Sequence, residues 1–358
     1  MELIPVNLLT GFLGSGKSTL LNEILENPEF CNTAVVVNEF GEVGLDGVLI
    51  EHTQDQIVEM TSGCLCCTIR GDIRQTLVDL HGKYVKDQIP KFNRVIVEST
   101  GLADPAPVVQ TLMSDSLLRN RYMLGGVIAT IDALHGAATI KNYKECEKQA
   151  AVADRLIITK SDLINDGVMR KTLNKLESKL FSLNPTAIVL DRHREDFEFG
   201  RLFDTSLYDP NTKSMDVRKW LNAEANTTDH NHSHGDFHSS NDDHHHDITR
   251  HGSDIRSFTL TFEDPITIET LASSLEALLL TQGANILRVK GIVNTVDRPE
   301  HPLVVHGVQH VFHDPVWLDE WPNESRQTQL VFITFGVTRE SLDLFFKSWI
   351  STSNGIWR

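Results

Sequence analysis

The chain has 358 residues, 40% of them hydrophobic and 23% charged, which suits two domains with sizeable cores better than one. A formal charge of −16 at pH 7 argues against nucleic acid and anionic membrane as bulk partners and favours cations, metal ions included. The apolar start Leu3 to Leu13 lacks a basic flank and contains Pro5 and Gly11, and no later run nears the ~20 residues of a membrane span, so a cytoplasmic location is expected.

Compact β-branched runs with polar ends predict strands at Ile4–Leu9, Thr33–Asn38, Val95–Glu98, Val127–Asp132 and Leu156–Thr159. Stretches between them carry apolar residues at helical spacing, such as Leu20, Leu21, Ile24 and Leu25, or Ile73, Leu77 and Leu80. This alternation predicts an α/β domain over residues 1–205, a parallel sheet with helices on both faces. Residues 206–254 break the pattern: a short helix (Met215 to Ala225) precedes the tract DHNHSHGDFHSSNDDHHHDITRH. That tract is too poor in apolar residues to fold alone and reads as a flexible linker. Residues 255–358 predict a smaller α+β domain. Its strands are Ser257–Phe262, Ile286–Thr295, Leu303–Gln309 and Gln329–Phe335, and its helices Ile268–Leu280 and Arg339–Trp349.

The first predicted strand runs into Gly11-Phe-Leu-Gly14-Ser15-Gly16-Lys17-Ser18, followed by Thr19 and a predicted helix. This is the G-x-x-x-x-G-K-[ST] pattern in the context a P-loop requires. The glycines let backbone N–H groups curl around phosphates at a helix N-terminus; Lys17 would neutralise phosphate charge and the Ser18 hydroxyl would ligate Mg²⁺. The strand end Glu98-Ser-Thr-Gly101 suits a carboxylate near Mg²⁺ and a backbone N–H near the γ-phosphate. After the strand at Leu156, the turn Thr159-Lys160-Ser161-Asp162 places a carboxylate to accept from the guanine N1–H and 2-amino group, which points to GTP. No glutamine stands where it would orient an attacking water, so turnover is expected to be slow.

Three of the five cysteines crowd into Gly63-Cys64-Leu65-Cys66-Cys67. Thiolates favour Zn²⁺ or Cu⁺, and three protein ligands leave a fourth position for water, Glu42, an imidazole or a partner's ligand. An open site suits a metal that is passed on. Burial as small apolar residues and a redox pair are the alternatives. The cluster is expected in the loop region between Asn38 and the helix starting near Asp72, where nucleotide state would alter metal affinity. His230, His232, His234, His238, His244, His245, His246 and His251, half of the sixteen histidines, would buffer metal loosely or serve as a solvated linker. Trp317, Trp321 and Trp357 either mark a docking surface or pack the small domain.

Together TGFLGSGKST, NEFGEVGLD, GCLCC, VESTGLADP and TKSD resemble the CobW-type P-loop GTPases, a family of metallochaperones that includes zinc chaperones. The resemblance covers the whole chain. It implies GTP-dependent transfer of Zn²⁺ from Cys64, Cys66 and Cys67 to a metal-dependent client protein. By position it assigns Gly14, Gly16, Lys17, Ser18 and Thr19 to phosphate and Mg²⁺ and Asp162 to the base. Of the loop's acidic positions, Glu39 and Glu42, it makes Glu42 the likelier metal neighbour. Insertion of cobalt or iron into a cofactor or enzyme is the nearest alternative; passive metal storage and a P-loop kinase are further ones.

Overall fold

The computed structural model describes residues 3–38, 57–59, 65–69, 72–203, 254–322 and 324–355. The first strand, β1 (Ile4–Gly11), alternates its side chains between two apolar cores: Val6 and Leu8 enter one, Leu9 the other. Around it an eight-stranded sheet is built from β2 (Thr33–Asn38), β3 (Ile57–Glu59), β4 (Leu65–Ile69), β5 (Arg94–Glu98), β6 (Tyr122–Asp132), β7 (Arg155–Thr159) and β8 (Ile188–Asp191), in the order β3-β4-β2-β5-β1-β6-β7-β8. Every pairing is parallel except β3 against β4. The chain steps to one side of β1 for β2 and to the other for β6, so a topological switch point falls at the carboxyl end of β1.

Helix α1 (Lys17–Glu26) covers one face through Leu20, Leu21, Ile24 and Leu25, sharing that core with Phe30, Leu202 and Phe203. The other face carries α2 (Ile73–Val85), α3 (Ala106–Ser114), α4 (Ser116–Arg119), α5 (Gly136–Asn142), α6 (Lys144–Val152) and α7 (Gly167–Leu183). The expected two-faced α/β sheet is therefore present. Strand β6 begins five residues before its predicted start. Gly125 and Gly126 hide that part from a β-propensity reading; they are needed because a Cβ at Gly125 would lie 2.7 Å from the Asn7 side chain, and the register against β1 shifts there.

The smaller domain is an antiparallel sheet of β9 (Ile255–Phe262), β10 (Ile286–Val293), β11 (Leu303–Val308), β12 (Val311–Phe312), β13 (Val316–Trp317) and β14 (Thr328–Phe335), in the order β12-β11-β10-β14-β9 with β13 beside β11. Helices α8 (Ile268–Gln282) and α9 (Arg339–Gly355) cover one face through Leu271, Leu275, Leu278, Leu342 and Phe346. From the other face Ile255, Leu287, Val308 and Ile333 join the main core of the first domain. Trp317 and Trp321 pack against the small domain's cores. The predicted helix Met215 to Ala225, the histidine tract and Trp357 lie outside the described residues. No helix among the described residues is long and apolar enough to cross a membrane.

A buried ionic knot joins the two domains. Asp154, fully buried ahead of β7, accepts from Arg288 and from Lys290 (3.2 Å), both on β10, and from the Val127 N–H at 2.9 Å. Arg288 also donates to the Val152 carbonyl, and Lys290 to the Thr186 carbonyl at 3.3 Å. Burial alone would raise the Asp154 pKa, but the adjacent Arg288 and Lys290 charges hold it far below the usual carboxylate range.

Candidate nucleotide and metal site

The turn leaving β1 needs three glycines at positive φ: Gly11 at 140°, Gly14 at 71° and Gly16 at 91°. At Gly11 a side chain is also excluded by space, since a Cβ would meet the Thr130 hydroxyl at 2.3 Å. Gly16 caps α1, and the loop it closes is stapled from below. Ser15 Oγ meets Thr130 Oγ1 at 2.6 Å, and Thr159 Oγ1 donates to the Ser15 carbonyl at 2.7 Å. Lys160, in the left-handed region (φ 60°), donates to the Gly14 carbonyl and to Asp132, both at 2.7 Å. Thus the guanine-type turn is tied directly to the phosphate-type loop.

Lys17 folds back over that loop, its Nζ donating to the carbonyls of Gly11 (2.8 Å) and Phe12 (3.1 Å). Burial lowers its pKa, and the nearby Glu98 charge partly opposes the shift. The Ser18 hydroxyl donates to Glu98 Oε1 at 2.9 Å, while Ser18 and Thr19 remain exposed at the start of α1. Glu98 is buried at the carboxyl end of β5. The following turn presses on the P-loop: a Cβ at Gly101 would lie 2.7 Å from the Leu13 nitrogen. Ammonium, hydroxyl, carboxylate and loop N–H groups thus converge at the switch point, a donor set that fits phosphates and a hard cation.

At the far end of the Thr159–Asp162 turn, Asp162 is half exposed and its Oδ1 lies 3.0 Å from His193 Nε2. Asp132, Asp191 and His193 form part of this end and were missing from the sequence reading. Ser161 contacts Asp191, and Asp132 also accepts from the N–H groups of Leu134 (2.7 Å) and His135 (3.1 Å). Burial would raise the Asp132 pKa, but Lys160 and those N–H groups outweigh it and lower it. The polar ends of predicted strands were the available signal for Asp132; His193 follows a strand that the sequence reading did not predict.

Cys66 and Cys67 do not stand in a loop. They belong to β4, where Cys66 pairs with Val35 and Val58, and Cys67 with Val36 and Ile57. Val36 in turn pairs with Val97 of β5, so Cys67 lies two strands from β5, about 10 Å across the sheet, one row below Glu98. The β-branched Val58 and Val35 beside a thiol-rich run make that run a strand partner, a pairing that local spacing does not reveal. Cys64 and Glu42 lie outside the described residues, and among the described residues no group of three or more His, Cys, Asp or Glu is placed to hold a metal. Cys146 is a buried free thiol whose pKa burial pushes up to about 12, inert as a ligand at neutral pH.

Fold and loop together define a P-loop nucleotide-binding protein. Residues 5–191 match the CobW/HypB/UreG nucleotide-binding domain and residues 255–349 the C-terminal domain of the cobalamin synthesis protein cobW. The chain belongs to the CobW/HypB/UreG family. It is 32% identical over 348 residues to the zinc chaperone YjiA of Escherichia coli, covering 97% of this chain and 98% of that one. The crystal structure of Zn(II)-bound YjiA GTPase superposes with a TM-score of 0.71 at 32% identity, covering 98% of this chain and 99% of that one. A triple mutant of that GTPase, with one glutamate and two cysteines changed to alanine, is also Zn(II)-bound (TM-score 0.71, 31% identity, the same coverage). The zinc-regulated GTPase metalloprotein activator 1 of Schizosaccharomyces pombe is 30% identical over 213 residues, 58% of this chain and 48% of its own.

Proposed function

We propose that this chain is a GTP-hydrolysing zinc chaperone that delivers Zn²⁺ from Cys64-x-Cys66-Cys67 to a metal-dependent client protein. The observation that carries the reading is the Ser18–Glu98 contact beside the buried Lys17 ammonium, at the switch point of a sheet that also contains the cysteine strand. Lys17 would exchange the Gly11 and Phe12 carbonyls for phosphate oxygens, which restores the charge that burial disfavours. Ser18 and Glu98 would hold Mg²⁺, which supplies charge neutralisation at the phosphoryl oxygens. Asp162 would accept from guanine, while Lys160 keeps its turn fixed to the P-loop. Strands β5, β2 and β4 are contiguous, so a shift of the loops at their carboxyl ends would reach the cysteine strand directly.

Competitive chelator titration of Zn²⁺, with GDP and then a non-hydrolysable GTP analogue, tests this on wild type and on a Cys64/Cys66/Cys67→Ala variant. Affinity that depends on both nucleotide and cysteines supports the chaperone reading; client activation that proceeds equally well with Lys17→Ala sinks it. The related triple mutant that remains Zn(II)-bound favours a second reading, in which other ligands store zinc. That reading predicts zinc binding indifferent to GTP and retained after loss of the cysteines.

A further inference from the structure

Behind the turn that follows Glu98 lies an amide with no exposed surface. Gln149, on α6, donates its Nε2 hydrogens into that turn, to the Gly101 carbonyl at 3.2 Å and the Ala103 carbonyl at 3.0 Å. Its Oε1 accepts no hydrogen bond among the described residues. A side chain selected for packing alone would be apolar, because a buried amide with an idle acceptor is costly. One position earlier, Lys148 Nζ lies 3.7 Å from Asp104 Oδ2, so two successive residues of α6 face the same segment.

The turn is thus held between two bodies. On its front, the Leu13 backbone fills the space that a side chain at Gly101 would need; on its back, Gln149 grips both carbonyls. The helix supplying the grip is fixed at both ends. Tyr143, its N-cap, contacts the Phe12 ring at a centroid distance of 4.6 Å, and the Val152 carbonyl at its last residue accepts from Arg288 of the other domain.

We propose that Gln149 is a positioning residue for GTP hydrolysis, setting the Gly101–Ala103 turn against the P-loop at the height where the γ-phosphate is met. The inference rests on the GTPase reading above and adds to it the side chain that places the sensing turn. Gln149 acts through the turn and does not reach the attacking water, from which its burial separates it. The chemistry needs two N–H groups on one planar atom. Methionine matches the shape but donates nothing. Glutamate repels both carbonyls when ionised and donates one bond when protonated.

The test uses the full chain as wild type, Gln149→Met, Gln149→Glu and Lys17→Ala, measuring steady-state GTP hydrolysis from about pH 6 to about pH 8 together with GDP affinity. Gln149→Met should lose about ten- to a hundredfold in kcat, with KM and GDP affinity within about twofold of wild type, since the P-loop and Asp162 are untouched. Gln149→Glu should resemble it at high pH and recover as pH falls, because a buried carboxyl facing carbonyls has a raised pKa. Wild type and Gln149→Met should show no such recovery. A Gln149→Met variant with wild-type kcat overturns the proposal. So does a loss of kcat and GDP affinity together, with no acid recovery in Gln149→Glu, which would mark Gln149 as packing. If wild type hydrolyses GTP no faster than Lys17→Ala, the GTPase reading falls and takes this proposal with it.

Discussion

Asp154 has no exposed surface and is the only carboxylate in direct contact with Arg288 and Lys290 among the described residues, so asparagine at this position leaves the buried Arg288 guanidinium without its counter-charge and the Lys290 amine without its carboxylate partner. Removing one partner of a buried ion pair costs about 3–5 kcal/mol. For a chain of this size that lowers Tm by about 4–7 °C. Lys290→Met is the informative contrast: Asp154 keeps Arg288, one desolvated charge disappears, and the change should stay within about 1.5 kcal/mol of wild type in either direction. The two variants also differ in pH dependence. Burial and the Arg288 charge, opposed by Asp154, lower the Lys290 pKa to about 7, whereas an unfolded lysine keeps its proton to about pH 10.4. Between those values the unfolded chain binds more protons, so stability contributed by this residue rises with pH. Urea denaturation from about pH 7 to about pH 10 should therefore show wild type gaining on Lys290→Met. The reasoning is refuted if Asp154→Asn unfolds at the wild-type midpoint, or if Lys290→Met is as damaging as Asp154→Asn.

Three other outcomes are expected. Gly101→Ala puts a Cβ 2.7 Å from the Leu13 nitrogen, a backbone atom that cannot swing aside, and kcat for GTP should fall about tenfold or more with GDP affinity nearly retained. Asp162→Asn exchanges an acceptor pair for an acceptor and a donor; competition binding should show GTP weakened and xanthosine triphosphate, whose 2-oxo group accepts, strengthened. Phe346→Ala empties a nearly buried site beside Phe262 and Phe332 and should cost about 3–5 kcal/mol by urea denaturation, with GTP turnover unaffected below the transition.

What could be read from the sequence was whatever is local. The P-loop advertises itself because its glycines, lysine and serine are contiguous, and Thr33–Asn38 was predicted to the residue because its β-branched run has no competitor. Strand ends failed where side-chain chemistry changed for tertiary reasons. The strand predicted to Thr295 stops at Val293, since Asn294 turns its N–H to the Thr328 hydroxyl and Thr295 bridges to Ile266. Helix α9 runs beyond Trp349 through a polar Ser-Thr-Ser-Asn end that carries no apolar period. Thr130 and Gln149 could not be assigned at all: they act on partners 115 and 48 residues away, and nothing in their own neighbourhoods signals it. The cysteines were noticed from their crowding, but their membership of a strand depends on β2 and β3, which lie elsewhere in the chain.

The knot at Asp154 fastens residues 134 positions apart in sequence, and every side chain in it lies among the described residues. For partners docked in this way the length of a flexible connection hardly enters the energetics: doubling it adds only about 0.6 kcal/mol of closure entropy. The same logic predicts that the chain can be cut between Phe203 and Asp254 and the two pieces will still find one another, held by the Asp154 knot.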